Sequence, residues 1–260
     1  MLPVGGYIEN VLRGAILSRM NISEITSGWI RLRIVLGTCL ALAFAGLPQP
    51  RVHASDPAGV ENKTIVVLGD SLAAGLGLDP SEAFPALLQK KIDAAGWKFT
   101  VVNAGVSGDT TAGGLRRIDW LLRRKIDVLV LELGGNDGLR GIPVGATKTN
   151  LQAIIDHLRQ KQPRAQVVIA GMQMPPNMGD EYNTAFRNIF PELARANHAA
   201  LIPFLLEGVG GRPGLNQLDQ IHPTAEGQRI VAENVWKILR SVLEKYGSAK
   251  LQPPLQQPGP

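Results

Sequence analysis

From residue 60 onward the chain alternates short, β-branched apolar runs with longer stretches whose apolar residues recur at helical spacing. The runs Thr64–Leu68, Phe99–Asn103, Ile126–Leu133, Gln166–Gly171 and Ala200–Phe204 read as strands. They are nearly continuous in apolar character instead of alternating, the pattern of a sheet covered on both faces. Between them, Phe84, Leu87, Leu88, Ile92 and Ala95 share one helical face, as do Leu151, Ile154, Ile155 and Leu158. Val231, Val235, Ile238, Leu239, Val242 and Tyr246 repeat that spacing in a last helix. Five strands, each followed by a helix, predict a single α/β domain of three layers, α/β/α, around a five-stranded parallel sheet. The stretch 248–260, rich in proline and glutamine, has no such periodicity and reads as a disordered tail.

The amino-terminal stretch follows a different rule. Arg31-Leu32-Arg33 precedes the apolar run Ile34–Leu47, then Pro48 and Pro50, then Val52-His53-Ala54. A positive flank, an apolar stretch and a small-residue exit describe a secretory signal peptide. The expectation is a leader over 1–54, cleaved after Ala54, and an exported domain over 55–247 that is periplasmic or secreted. A retained anchor is the alternative, although the run of 14 residues falls short of the roughly 20 that span a bilayer. Met1 and Met20 both remain open as the start. Cys39 is the only cysteine and lies inside the apolar run, so the mature chain has neither a disulfide nor a thiolate metal ligand.

Net charge is +5, but five arginines against two glutamates up to residue 54 supply +3 of it, leaving 22 basic and 20 acidic residues. With only 5% aromatic residues, the composition gives no support to a nucleic-acid surface. No G-x-x-x-x-G-K-[ST] occurs, no G-x-G-x-x-G opens a helix after a strand, and the histidines lack metal-binding spacing. No metal and no cofactor is expected.

The polar residues gather at the strand-to-helix junctions. The first strand runs into Gly69-Asp70-Ser71, the second into Asn103-Ala104-Gly105-Val106-Ser107-Gly108-Asp109-Thr110 and the third into Glu132-Leu133-Gly134-Gly135-Asn136-Asp137. Asp219-Gln220-Ile221-His222-Pro223 stands before the last helix. Right-handed connections bring all four to one rim, where open parallel sheets build ligand sites.

These four segments resemble the blocks of the GDSL, or SGNH, hydrolase superfamily, and within it the exported bacterial thioesterase I, lysophospholipase and arylesterase group. The resemblance covers about residues 62–245. It implies a flavodoxin-like sheet with Ser71 as nucleophile and Asp219 and His222 as acid and base. It also implies an oxyanion hole made of the Ser71 and Gly108 N–H groups and the Asn136 amide. Gln220 departs from the pattern, which has glycine there. The chemistry of the residues agrees. A serine hydroxyl needs a base to become nucleophilic, and a carboxylate holds that base in the right tautomer. Pro223 suits the first turn of the last helix.

Other residues carry blander expectations. Asp70, Asp109 and Asp137 read as structural, with Asp109 as a helix N-cap. His157 and His198 read as partly exposed helix residues. The loop holding Met172, Met174, Pro175 and Met178 follows the fourth strand and is expected to contact a flexible acyl chain. The function expected is cleavage of acyl esters and thioesters, with small-molecule substrates that extend to lysophospholipids and no obligate protein partner. An esterase of envelope carbohydrate acetyl groups and a non-catalytic exported binding protein are the alternatives.

Overall fold

The structure is a computed structural model that describes residues 62–248. The expected leader, its cleavage point and the tail from residue 249 lie outside the described residues. The strands are β1 (Lys63–Gly69), β2 (Phe99–Gly105), β3 (Val128–Glu132), β4 (Gln166–Ala170) and β5 (Ala200–Ile202). The helices are α1 (Ser71–Ala74), α2 (Phe84–Ala94), α3 (Thr111–Leu121), α4 (Gly135–Leu139), α5 (Val144–Lys161), α6 (Asp180–Ala196) and α7 (Ala225–Ser248). No helix among the described residues is long and apolar enough to cross a membrane.

Every strand pair is parallel, in the order β2-β1-β3-β4-β5. The chain steps outward from β1 to β2, then crosses back over β1 to reach β3. Right-handed crossovers in these two directions send α2 to one face and α3, α5 and α6 to the other. The packing agrees, since α2 lies against α7 while α3 and α6 both lie against α5. The β1/β3 boundary is therefore the point where the connections diverge and leave a crevice. Ser71 follows β1 and Asn136 follows β3, so both stand at that crevice.

Burial explains the continuous apolar runs. Ile65, Val66, Val67 and Leu68 in β1 and Val128, Leu129 and Val130 in β3 are fully enclosed between the helical layers. Truncating Ile65, Leu68 or Leu129 to alanine would cost about 2–5 kcal/mol. The edge strand β2 is the exception, with Thr100 and Asn103 exposed.

Some boundaries differ from those expected. Ile126 and Leu133 are buried but lie outside the β3 ladder, because apolar character records burial and not hydrogen-bonded pairing. β5 stops at Ile202, since Pro203 has no N–H to offer a ladder. His198 is not helical. It sits exposed in the turn after α6 with φ 49°, a left-handed conformation that ends the helix.

Candidate active site

β1 ends at Gly69, and Asp70 caps the four-residue helix α1 that begins with Ser71. Asp70 Oδ1 accepts the Leu72 N–H at 2.9 Å, which turns the chain sharply and leaves Ser71 at the first helical position. Ser71 is only 7% exposed, so its hydroxyl lies on the floor of the crevice.

His222 arrives from the far end of the sequence. Its loop is held by a bridge between Asn216 and Pro223 and by the Gln217 N–H donating to His222 O at 2.7 Å. The Gln217 amide then donates to Leu76 O at 2.7 Å, tying this loop to the segment just after α1. As a result His222 Nε2 lies 2.8 Å from Ser71 Oγ, a contact across 151 residues. On the other side of the ring, Nδ1 lies 2.6 Å from Asp219 Oδ2. Asp219 Oδ1 accepts the backbone N–H groups of Ile221 and His222 at 2.9 and 3.0 Å. The His222 N–H, then its side chain, then the Ile221 N–H hold the Asp219 carboxyl down at about 2, although the side chain is 44% exposed. Gln220 lies between acid and base with φ 59°, which explains why glycine fits this position in the GDSL pattern.

The donors of the expected oxyanion hole lie around Ser71. Gly108 has φ 80°, a backbone state that a side chain would strain, and its N–H donates to no group among the described residues. The Ser71 N–H is likewise undonated among the described residues. Asn136, in the first turn of α4, directs its Nδ2 to Asp109 O at 2.9 Å and to Asp70 Oδ2 at 3.1 Å.

Beneath the nucleophile lies a carboxylate that the residue pattern did not single out. Glu132, the last residue of β3, is fully buried, and its Oε2 accepts the Asp70 N–H at 3.1 Å. Its Oε1 has no hydrogen-bond partner among the described residues. Burial, reinforced by the neighbouring Asp70 charge, pushes the Glu132 carboxyl well above its ordinary range. Burial likewise raises Asp70 to about 6, against the pull of the Leu72 N–H. The only sequence signal for Glu132 is a charged residue inside an apolar run.

The other aspartates have structural partners. Asp137 accepts the Thr111 N–H at 2.8 Å and so fixes the start of α3. Asp109 is not the N-cap of α3. Thr110 takes that place, its Oγ1 accepting the Gly113 N–H, while Asp109 pairs with Arg117 at 2.7 Å. The methionine loop divides. Met172 is 3% exposed and packs in the core, which removes it from any open groove. Met174 is half-buried against the core and against Gly138 of α4, Met178 is half-buried, and Pro175 is exposed. His157 pairs with Asp119 in α5 and α3, away from the rim.

Among the described residues no group of three or more His, Cys, Asp or Glu could hold a metal ion. A groove of about 820 Å³ opens at the other edge of the sheet, lined in part by Arg123, Arg124, Lys125, Lys161 and Arg164. It precedes β3 and β4 and shares no residue with the crevice at Ser71.

Residues 67–230 match the GDSL-like lipase/acylhydrolase family. The esterase TesA of Pseudomonas aeruginosa is 45% identical over 182 residues, which span 70% of this chain and 90% of that protein. Thioesterase 1/protease 1/lysophospholipase L1 of Escherichia coli K12 is 40% identical over 181 residues, 69% of this chain and 85% of that protein. A crystal structure of TesA superimposes with a TM-score of 0.67 at 45% identity, covering 69% of this chain and 99% of that one.

Proposed function

The chain belongs to the GDSL-like lipase/acylhydrolase family, and we propose that it cleaves its ester and thioester substrates through an acyl-enzyme on Ser71. The family and its relatives make the protein a hydrolase of carboxylic esters and thioesters. The observation that carries the mechanism is the unbroken line from Ser71 Oγ to His222 Nε2 at 2.8 Å and from Nδ1 to Asp219 at 2.6 Å.

In the first step Ser71 Oγ attacks the acyl carbon while its proton passes to His222 Nε2. Asp219 is ionised at working pH and fixes the Nδ1–H tautomer, then stabilises the imidazolium. The oxyanion forms where the Ser71 and Gly108 N–H groups, undonated among the described residues, meet the Asn136 amide. It draws the amide hydrogen from the longer bond to Asp70, whose charge burial already disfavours. His222 returns the proton to the departing alkoxide or thiolate. Water, deprotonated by the same imidazole, then releases the acid and restores Ser71.

Lysophospholipids and other long acyl esters belong to this reading. Leu76, Val106, Leu218 and Ile221 on loops, with Leu139 at the end of α4, are exposed large apolar residues around the crevice, a surface suited to an acyl chain. Export with cleavage after Ala54 completes it, supported by the arginine-flanked apolar run. Amino-terminal sequencing of the mature protein tests the export step. Ser71→Ala should abolish hydrolysis and covalent labelling by a fluorophosphonate, and retained turnover would refute the mechanism. A rate profile across ester chain lengths should stay high beyond acetyl, whereas a steep fall would point to an acetyl specialist.

A further inference from the structure

The nucleophile and its base are joined directly, but the oxyanion donors come from three separate strand-to-helix junctions that must be held in register. Arg117, on α3, turns three nitrogens toward the first two of those junctions. Its Nε donates to Asp109 Oδ2 at 2.7 Å, Nη1 to Ala104 O at 2.7 Å and Nη2 to Gly69 O at 2.9 Å. These acceptors belong to different pieces of the site. Gly69 ends β1, two residues before Ser71, and Ala104 lies at the end of β2. Asp109 follows Gly108, and its carbonyl accepts the Asn136 amide at 2.9 Å. The pair is largely shielded, with the Arg117 and Asp109 side chains 21% and 12% exposed. Space has been left for it as well, because a Cβ at Gly113 would come within 1.7 Å of Asp109 Oδ1.

From this geometry we propose that Arg117 and Asp109 are positioning residues of the oxyanion hole. The guanidinium locks the Gly108–Asp109 segment onto the end of the nucleophile strand. Gly108 then presents its N–H, and the Asp109 carbonyl aims the Asn136 amide, at the carbonyl that Ser71 attacks. Neither residue touches substrate. The inference rests on the oxyanion roles of Ser71, Gly108 and Asn136 proposed above. A planar fork is required, because the point charge of a lysine cannot serve three acceptors in these directions.

The test uses the purified protein, a soluble short-chain chromogenic ester and active sites counted by end-point fluorophosphonate labelling. Arg117→Met should lower kcat per labelled site about 30- to 100-fold with KM within about two-fold, since small misplacements of donors cost turnover and not binding. Arg117→Lys should lose about 10-fold. In an Asn136→Ala background the cost of Arg117→Met should shrink at least about three-fold, because part of its effect passes through that amide. An equal cost in both backgrounds, or an unchanged kcat per labelled site, overturns the proposal. If Arg117→Met does not fold, Asp109→Asn carries the test. It leaves the guanidinium on both carbonyls and should still lower kcat about five-fold without raising KM, and wild-type kcat in this variant overturns the proposal. Asn136→Ala alone separates this inference from the reading beneath it. A loss of about 10²-fold supports the oxyanion assignment, and near wild-type turnover removes that assignment itself.

Discussion

Two sets of carboxylates serve the same crevice under opposite conditions. Asp219 sits on an exposed loop, accepts two backbone N–H groups and the His222 ring, and is held down at about 2. Asp70 and Glu132 lie at the β1/β3 junction, where burial pushes Asp70 up to about 6 and, reinforced by the Asp70 charge, holds Glu132 well above its ordinary range. The difference teaches where charge is wanted. Beside the imidazole a permanent negative charge stabilises the imidazolium. Under the oxyanion it would oppose the reaction, and burial keeps that region closer to neutral. Burial outweighs the donors at Asp70 and Glu132, whereas at exposed Asp219 the donors decide.

The sharpest way to break this contrast is Asp219→Asn. It keeps the shape of the loop but permits the wrong tautomer of His222, and kcat should fall about 10³-fold or more. A loss below ten-fold would mean that the exposed acid does little. Next comes Glu132→Ala, which opens a cavity and strands the Asp70 N–H, and should cost about 3 kcal/mol in denaturant unfolding. Glu132→Gln mimics the neutral carboxyl and should cost under about 1 kcal/mol; an equal loss in both variants would show that the charge itself is needed.

The pH dependence of stability should separate the two regions by sign. Asp70 is raised on folding, so its stabilisation is complete below about pH 4 and disappears as pH climbs through about 6. Asp219 is depressed, so its stabilisation is present above about pH 4 and disappears as pH falls through about 2. Asp70→Asn should therefore flatten the decline between about pH 4 and 7, by on the order of 2 kcal/mol, in unfolding curves recorded across that range. Its persistence would assign the decline to another group. The smallest effect belongs to Gln220→Gly. Relief of the left-handed strain, offset by added chain entropy, should raise stability by at most about 1 kcal/mol, or roughly 2–4 °C in Tm, with unchanged kcat.

Strands were legible because burial on both faces writes itself as unbroken runs such as Ile65–Leu68. Their ends were less so, because Ile126 and Leu133 are as buried as their neighbours without joining the ladder. Ser71 and Asn136 stand out as polar residues in glycine-containing junctions, and Asp219 and His222 as an acid and a base three residues apart before Pro223; the fold brings Ser71 to His222 and Asp219. What stayed hidden depends on direction and not on residue type. Glu132 looks like the end of an apolar strand, and only the pleat shows its carboxyl turned inward under Asp70. Arg117 is one of two adjacent arginines on α3, and helix geometry alone selects which of them faces the junctions. Met172 and Met174 are two residues apart, yet one enters the core and the other lies partly open.

The acid and base lie three residues apart on one turn, and that turn makes its own internal hydrogen bonds. The relay thus contains a single long-range joint, the 2.8 Å contact between Ser71 and His222. A lineage diversifying its substrate loops has only that one span to preserve, and an engineer grafting loops onto the rim has one distance to monitor. The aspartate–histidine turn can travel as a cassette, with Gln217 as the hook that hangs it beside the nucleophile.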